Sequence, residues 1–357
     1  MSAKDKYASG TSRDVNGTTV STRVQCSNAK LARQPITICD RFIEMKRILL
    51  PLTFVFLPLI TISSCNAAST QKTTASQKPK ATDVAKLRKQ LEEIASLAKG
   101  RVGVAAEVLE TGESISLNPQ DRFPMQSVYK LPISMAVMVQ VDNKKLNLEQ
   151  LVRVEKSDFV RIGQLSPIRD NNPNGVELSL SELLRYTVSV SDGTSSDVLL
   201  KLVGVEFVGK YLNELGITEI IVANSEKEIG KDWETQYRNW ATPQGALQLL
   251  RSLHERRGLS EQSQQLLLKH MTDTPTSAKR LKGLLPKTVV VAHKTGTGGT
   301  SPAGLASATN DIGLITLPNG RHLAIAVFVS DSKVDLATRE SVIAQIAKAI
   351  YDEYSHE

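Results

Sequence analysis

The chain has 357 residues, 41% of them hydrophobic and 23% charged, which is material for a packed core of one or two domains and excludes bulk disorder. Its formal charge is +7, yet residues 1–68 hold nine Lys/Arg against four Asp/Glu and leave 35 against 33 for the rest. That remainder lacks a polyelectrolyte footprint, so no nucleic-acid partner is expected. All three cysteines (Cys26, Cys39, Cys65) lie in the first fifth, which leaves no disulfide framework or cysteine-rich metal site beyond Cys65.

Residues 1–44 lack periodicity and precede a basic start at Met45-Lys46-Arg47; they read as a non-native upstream extension, with translation beginning at Met45. An apolar run from Ile48 to Ile62 and then small residues make 45–68 a secretory signal peptide. The run is about 15 residues, short of the roughly 20 a membrane-spanning helix needs. Ile62-Ser63-Ser64-Cys65 resembles the bacterial lipobox, which makes Cys65 a lipid anchor; Asn66-Ala67-Ala68 suits plain cleavage equally, and both readings stay open. A periplasmic protein, with or without that tether, is expected. Residues 69–82 have no apolar side chain larger than alanine and read as a flexible tether.

The folded unit is expected over 83–357. Leu87, Leu91, Ile94 and Leu97 recur at helical spacing, with Asp83 as N-cap and Gly100 as stop. Val102–Leu109, a Thr111-Gly112 turn and Ser114–Leu117 suggest a hairpin. Residues 125–275 are mostly helical patterns, such as Leu180–Val188, Asp197–Val203, Pro243–Glu255 and Glu261–Met271. Thr288–Ala292, Asn310–Leu317 and His322–Val329 are β-rich, and a helix over Leu336–Tyr354 closes the chain. The order predicts an α+β fold: an antiparallel sheet built from both chain ends, flanked by the terminal helices, with an all-helical subdomain inserted.

Three strings bear chemistry: Ser127-Val128-Tyr129-Lys130, Ser191-Asp192-Gly193 and Lys294-Thr295-Gly296. S-x-x-K alone means little, since it starts at five serines of this chain. Ser127 differs in opening an apolar stretch, Leu131–Val141, read as a buried helix with Pro132 near its start. Residues three apart share a helix face, so Lys130 can reach the Ser127 hydroxyl and take its proton, and the first-turn N–H groups lie where an oxyanion would form. The same residues also fit a helix cap with a solvated lysine. Lys294, Thr295 and Gly296 offer a carboxylate-bearing substrate a charge and a hydroxyl, with a glycine that lets it approach the backbone; a strand ending in a glycine-rich turn fits equally. Ser191 and Asp192 alone look like an N-cap.

With Lys282–Pro286, Val291–Thr297, Ala308–Gly313 and Gln236–Trp240, the three strings resemble class A serine β-lactamases, in the PER-like extended-spectrum branch alongside the Bacteroides-type cephalosporinases. The resemblance implies a β-lactam substrate, no cofactor and no metal, and a monomer is expected. It makes Ser127 the acylated nucleophile, Lys130 its proton partner and Ser191 the relay to the departing nitrogen. Lys294 and Thr295, with Gly296 between them and Thr297, hold the substrate carboxylate, and the N–H groups of Ser127 and Thr297 form the oxyanion hole. Arg280, fourteen residues before Lys294, falls where this branch keeps a second cation; a solvated arginine fits as well. Glu226, 35 residues after Ser191, stands where the family's loop carries its deacylating base, with Glu228 as the alternative.

Gly193 replaces an asparagine that contacts the substrate, Gly230 an asparagine or histidine beside the hydrolytic water, and Leu165 an aromatic residue at the mouth of the site. The competing function is a penicillin-binding D,D-peptidase or sensor that acylates and deacylates slowly; a non-enzymatic envelope protein is the third. His254, His270, His293, His322 and His356 show no metal-binding spacing, so structural or surface roles are expected for each.

Overall fold

A computed structural model describes residues 81–355, Ser277 apart. The upstream extension, the signal peptide with Cys65 and residues 69–80 of the tether lie outside the described residues. Helix α1 (Ala81–Ser96) takes in the last two residues assigned to the tether and begins ahead of Asp83, which falls in the first turn instead of capping it. Ala81 and Thr82 contain no breaker, and alanine is the best helix former, so nothing in that stretch stops the helix at Asp83.

The hairpin β1 (Arg101–Val108)–β2 (Ser114–Leu117) follows as expected. Next come β3 (Phe123–Pro124), a 3₁₀ turn over Gln126–Tyr129, α2 (Lys130–Asp142), β4 (Leu151–Val154), α3 (Pro167–Asn171) and β5 (Val176–Ser179). α4 (Leu180–Arg185) continues into a π-helical turn, Tyr186–Val190, before α5 (Gly193–Val203) and α6 (Val205–Glu214). After β6 (Ile220–Ile221), α7 (Glu226–Ile229), β7 (Trp240–Ala241), α8 (Pro243–His254) and α9 (Glu261–Thr272), the chain ends in β8 (Val291–Thr297), β9 (Ala306–Thr316), β10 (His322–Ser332) and α10 (Leu336–Ser355).

Two expectations are corrected. The middle is not purely helical, since β3, β6 and β7 form one small sheet and β4 pairs with β5. Strands of two to four residues are too short to show alternation. The strand expected over Thr288–Ala292 starts instead at Val291 and runs through Thr297, because the Val289 N–H turns back to the Pro286 carbonyl.

The main sheet has the order β2-β1-β10-β9-β8, with every neighbouring pair antiparallel. Both faces are covered, and alternation along β10 sends its side chains to two separate cores. Leu323, Ile325, Val327 and Val329 pack in the core shared with α1 and α10, whereas Ala324, Ala326 and Phe328 face the core of the helical region. Each large aliphatic side chain buried this way contributes roughly 1.5–3 kcal/mol. The sheet therefore holds β8 firmly on its outer edge, against the turn that bears Ser127.

Candidate active site

Ser127 lies in the 3₁₀ turn entered through Gln126, whose φ of +48° is in the left-handed region, a cost of roughly 1–2 kcal/mol for a residue with a side chain. Gln126 is held there by donating from Nε2 to Gln236 Oε1 at 2.9 Å. In a 3₁₀ turn residues i and i+3 eclipse, which puts Ser127 and Lys130 on one side of the chain, and both line the cleft. The lysine is 1% exposed. Among the described residues its Nζ donates to the Ser191 carbonyl at 2.8 Å and lies 3.4 Å from Glu226 Oε2, with no hydrogen bond to the Ser127 hydroxyl. A buried ammonium needs such partners, and the solvated-lysine reading fails.

Ser191 ends the π-helical turn with φ +63°, another left-handed residue beside the cleft. Asp192 does cap α5, accepting from the N–H groups of Ser195 and Ile168, and burial pushes its carboxyl above the usual range. Ser191 Oγ accepts from Lys294 Nζ at 2.9 Å, so its carbonyl meets one lysine and its hydroxyl the other. Burial, and then the neighbouring Lys130 ammonium, hold the Lys294 pKa well below its ordinary value.

The glycine of Lys294-Thr295-Gly296 has a structural reason different from the one expected. A Cβ there would run into the Met125 carbonyl oxygen and press on Gln126 and Ser127. The glycine lets β8 close onto the serine-bearing turn. Arg280 is not solvated: it is 1% exposed and donates to the carbonyls of Gly296 and Asn310, to Thr297 Oγ1 and to Glu340. It braces β8 from behind and does not line the cleft.

Glu226 opens α7. Ser225 caps that helix, accepting from the Glu228 N–H while Glu228 Oε2 accepts from the Ser225 N–H and hydroxyl. Those contacts assign Glu228 to the cap and hold its carboxyl below the usual range, and Glu228 does not line the cleft that contains Glu226. Glu226 Oε2 accepts from the buried Tyr129 hydroxyl at 2.8 Å. Burial and then the Glu226 charge push the tyrosine pKa far up, which keeps the phenol a donor. Asp197 anchors the loop by accepting from the N–H groups of Glu226 and Lys227; burial lifts its pKa to about 6.

The departures at Gly193 and Gly230 interlock with this loop. A Cβ at Gly193 would stand 2.8 Å from Glu226 Cγ, so an asparagine there excludes the present position of Glu226. A Cβ at Gly230 would stand 2.8 Å from Gln164 Nε2 and 2.9 Å from Gln164 Cδ. The Gln164 amide thus fills the space next to Gly230, donating from Nε2 to the Glu226 carbonyl at 2.5 Å, while its buried Oε1 has no partner among the described residues. Leu165 is 56% exposed at the mouth, where Trp233 supplies an aromatic wall. Tyr129, Gln164 and Asp197 escaped the sequence reading. Tyr129 stood inside the Ser127–Lys130 string, but the other two carry no local signal.

The resulting cleft has a volume of about 580 Å³ and brings together Ser127, Lys130, Ser191, Glu226, Thr295 and Thr297, with Lys294 buried beneath Ser191. The model of the β-lactamase enzyme family matches residues 86–354, and the chain belongs to that family. Within it, the chain is a class A serine β-lactamase of the branch that the sequence resembles. It is 41% identical over 267 residues to the β-lactamase VEB-1 of Pseudomonas aeruginosa, across 74% of this chain and 89% of that one. It is equally 41% identical over 266 residues to the extended-spectrum β-lactamase PER-1 of the same organism, across 74% and 86%. A β-lactamase structure from Chitinophaga pinensis matches with a TM-score of 0.73 at 46% identity, across 75% of this chain and 99% of that one. The α+β fold expected from the sequence is that of these relatives, and β-lactam hydrolysis is the activity they support.

Proposed function

We propose that the protein opens the β-lactam ring of penicillins and cephalosporins through an ester on Ser127, which water activated by Glu226 then hydrolyses. The observation that carries this reading is the position of Glu226 in the cleft, 3.4 Å from Lys130 Nζ and 2.8 Å from the Tyr129 hydroxyl, while Glu228 is committed to its helix cap. In acylation, Ser127 Oγ attacks the lactam carbonyl carbon as its proton passes to the Lys130–Glu226 pair. The C–N bond then breaks, and the nitrogen takes a proton through the Ser191 hydroxyl, which accepts from Lys294 Nζ while the Ser191 carbonyl accepts from Lys130 Nζ. Lys294 and Thr295 face the substrate carboxylate, and the N–H groups of Ser127 and Thr297 receive the oxyanion. Arg280 acts through β8, keeping Thr297 and Gly296 in place.

In deacylation, Glu226 takes a proton from water, the hydroxide adds to the ester carbonyl, and the C–O bond breaks as that proton returns through the Glu226–Lys130 pair to Ser127 Oγ. Gln164, whose Nε2 donates to the Glu226 carbonyl and whose buried Oε1 has no partner among the described residues, supplies the second acceptor that orients this water. Export through the signal peptide at 45–68, with or without a lipid on Cys65, supports a periplasmic location.

Glu226→Gln is expected to slow deacylation about 10² to 10⁴-fold with acylation far less affected, so that the ester becomes isolable, while Glu228→Gln leaves it fleeting. Quenched mass spectrometry of both variants with one cephalosporin checks this. Accumulation in the Glu228 variant alone moves the base by two residues. A long-lived adduct in the unmodified protein selects the slow penicillin-binding alternative.

A further inference from the structure

Away from the cleft, three side chains from three elements converge where α8 ends against the sheet. Glu110 follows β1, His322 opens β10, and His254 is the last residue of α8. Glu110 Oε1 lies 2.7 Å from His322 Nδ1 and 3.8 Å from His254 Nε2, and the two imidazole rings are 4.5 Å apart, tilted by 48°. The other carboxylate oxygen is tied down, since Oε2 accepts from the His322 backbone N–H at 2.8 Å. The Leu109 N–H in turn donates to the His322 carbonyl at 2.9 Å, so the backbone of the sheet orients the carboxylate with Oε1 toward both rings.

One ligand atom from each of the three residues lies within 4.8 Å of the others. Arg251, three residues before His254, has its charge engaged by Glu107 and Glu255, which leaves the Glu110 carboxylate to the histidines. We propose that Glu110, His254 and His322 form a binding site for a divalent transition-metal ion of the zinc type, held by one carboxylate oxygen and two imidazole nitrogens with a fourth position open to water.

The donor set decides the class of ion. Two imidazoles and one carboxylate suit zinc and its neighbours, whereas magnesium and calcium demand oxygen shells. Zinc bonds of about 2.0–2.2 Å put the ligand atoms of a tetrahedron roughly 3.3 Å apart. The 2.7 Å contact must open and the 3.8 Å contact close by about half an ångström each, and the two ring nitrogens, within 4.8 Å of each other, must draw to the same spacing, which side-chain rotations at these partly exposed residues supply. The ion clips the end of α8 to β1 and β10 and stabilises the folded state by mass action.

The test is calorimetric titration of the purified protein with zinc chloride, with thermal melting in parallel. One zinc per chain is expected, with a rise in melting temperature. Glu110→Gln, His254→Gln and His322→Gln should each weaken binding at least about tenfold, because loss of even an outer partner of a metal ligand typically costs 10–100-fold. The double histidine variant should lose the thermal shift. Cephalosporin hydrolysis without added metal should stay at the unmodified rate in all of them, since none of the three residues lines the cleft, and this reports that the variants fold. Absence of zinc binding at hundred-micromolar concentration overturns the site. So does binding that survives in the double variant, or magnesium binding of equal strength.

Discussion

The two walls of the cleft are built on different terms. On the serine wall, Lys130, Ser191 and Lys294 are each less than a tenth exposed, and Ser191 ties them together through its carbonyl and hydroxyl. On the glutamate wall, Glu226 is only part-buried, and the residues that hold it come from distant segments: Tyr129, Gln164 and Asp197. Two glycines, Gly193 and Gly230, open space there that side chains from elsewhere occupy. The serine wall is a fixed frame set by short strings, whereas the glutamate wall is packed from segments far apart in the chain. Substitutions are therefore expected to have a uniform, total effect on the first wall and graded effects on the second.

The largest effect belongs to the first wall. Ser127→Ala should abolish both covalent labelling and turnover, since no ester can form without the hydroxyl; a labelled variant would move the nucleophile elsewhere. On the second wall, Gln164→Ala should lower the deacylation rate about tenfold with the acylation rate preserved, because it removes the acceptor proposed to orient the water while leaving the proposed base. Pre-steady-state kinetics separates the two steps, and an equal fall in both would make Gln164 a general support of the cleft. Tyr129→Phe should be milder, about threefold to tenfold on deacylation, the scale of one typical net hydrogen bond of about 0.5–1.5 kcal/mol. Phenylalanine keeps the packing, so an unchanged melting temperature is expected with that kinetic change.

The smallest effect concerns the anchor of the loop. Asp197 has its folded-state pKa raised from 3.8 to about 6, chiefly by burial. The folded state therefore binds this proton more tightly than the unfolded one. The associated stabilisation is fully present below about pH 3.8 and is lost as pH rises through about 6. Asp197→Asn should flatten that part of the stability profile, measured by denaturant unfolding from pH 4 to 7. A variant whose profile keeps the slope assigns it to another group.

The same contrast explains what the sequence made legible. The sheet came through because both of its faces are buried: the apolar residues of β1 and β10 alternate between two cores, and a chain-end helix marks each side. The serine wall came through because a 3₁₀ turn makes Ser127 and Lys130 neighbours, so their geometry is written in four consecutive letters. The glutamate wall depends on contacts between residues 97 apart, as for Tyr129 and Glu226, or 62 apart, as for Gln164 and Glu226. No local pattern encodes such contacts. Arg280 shows the same limit, because its charge was legible but its burial behind β8 was not. His254 and His322 have no metal-like spacing because β1, α8 and β10 bring them together with Glu110 only in the fold.

The central claim is that Ser127 carries an ester which Glu226 clears quickly. Its most direct test is an intact-mass time course of the unmodified protein with a cephalosporin, quenched from milliseconds to minutes, with peptide mapping of any adduct. The account predicts one adduct per chain, on Ser127, present only while substrate remains and gone when it is exhausted. An adduct on another residue, or one on Ser127 that outlasts the substrate by many minutes, would contradict it.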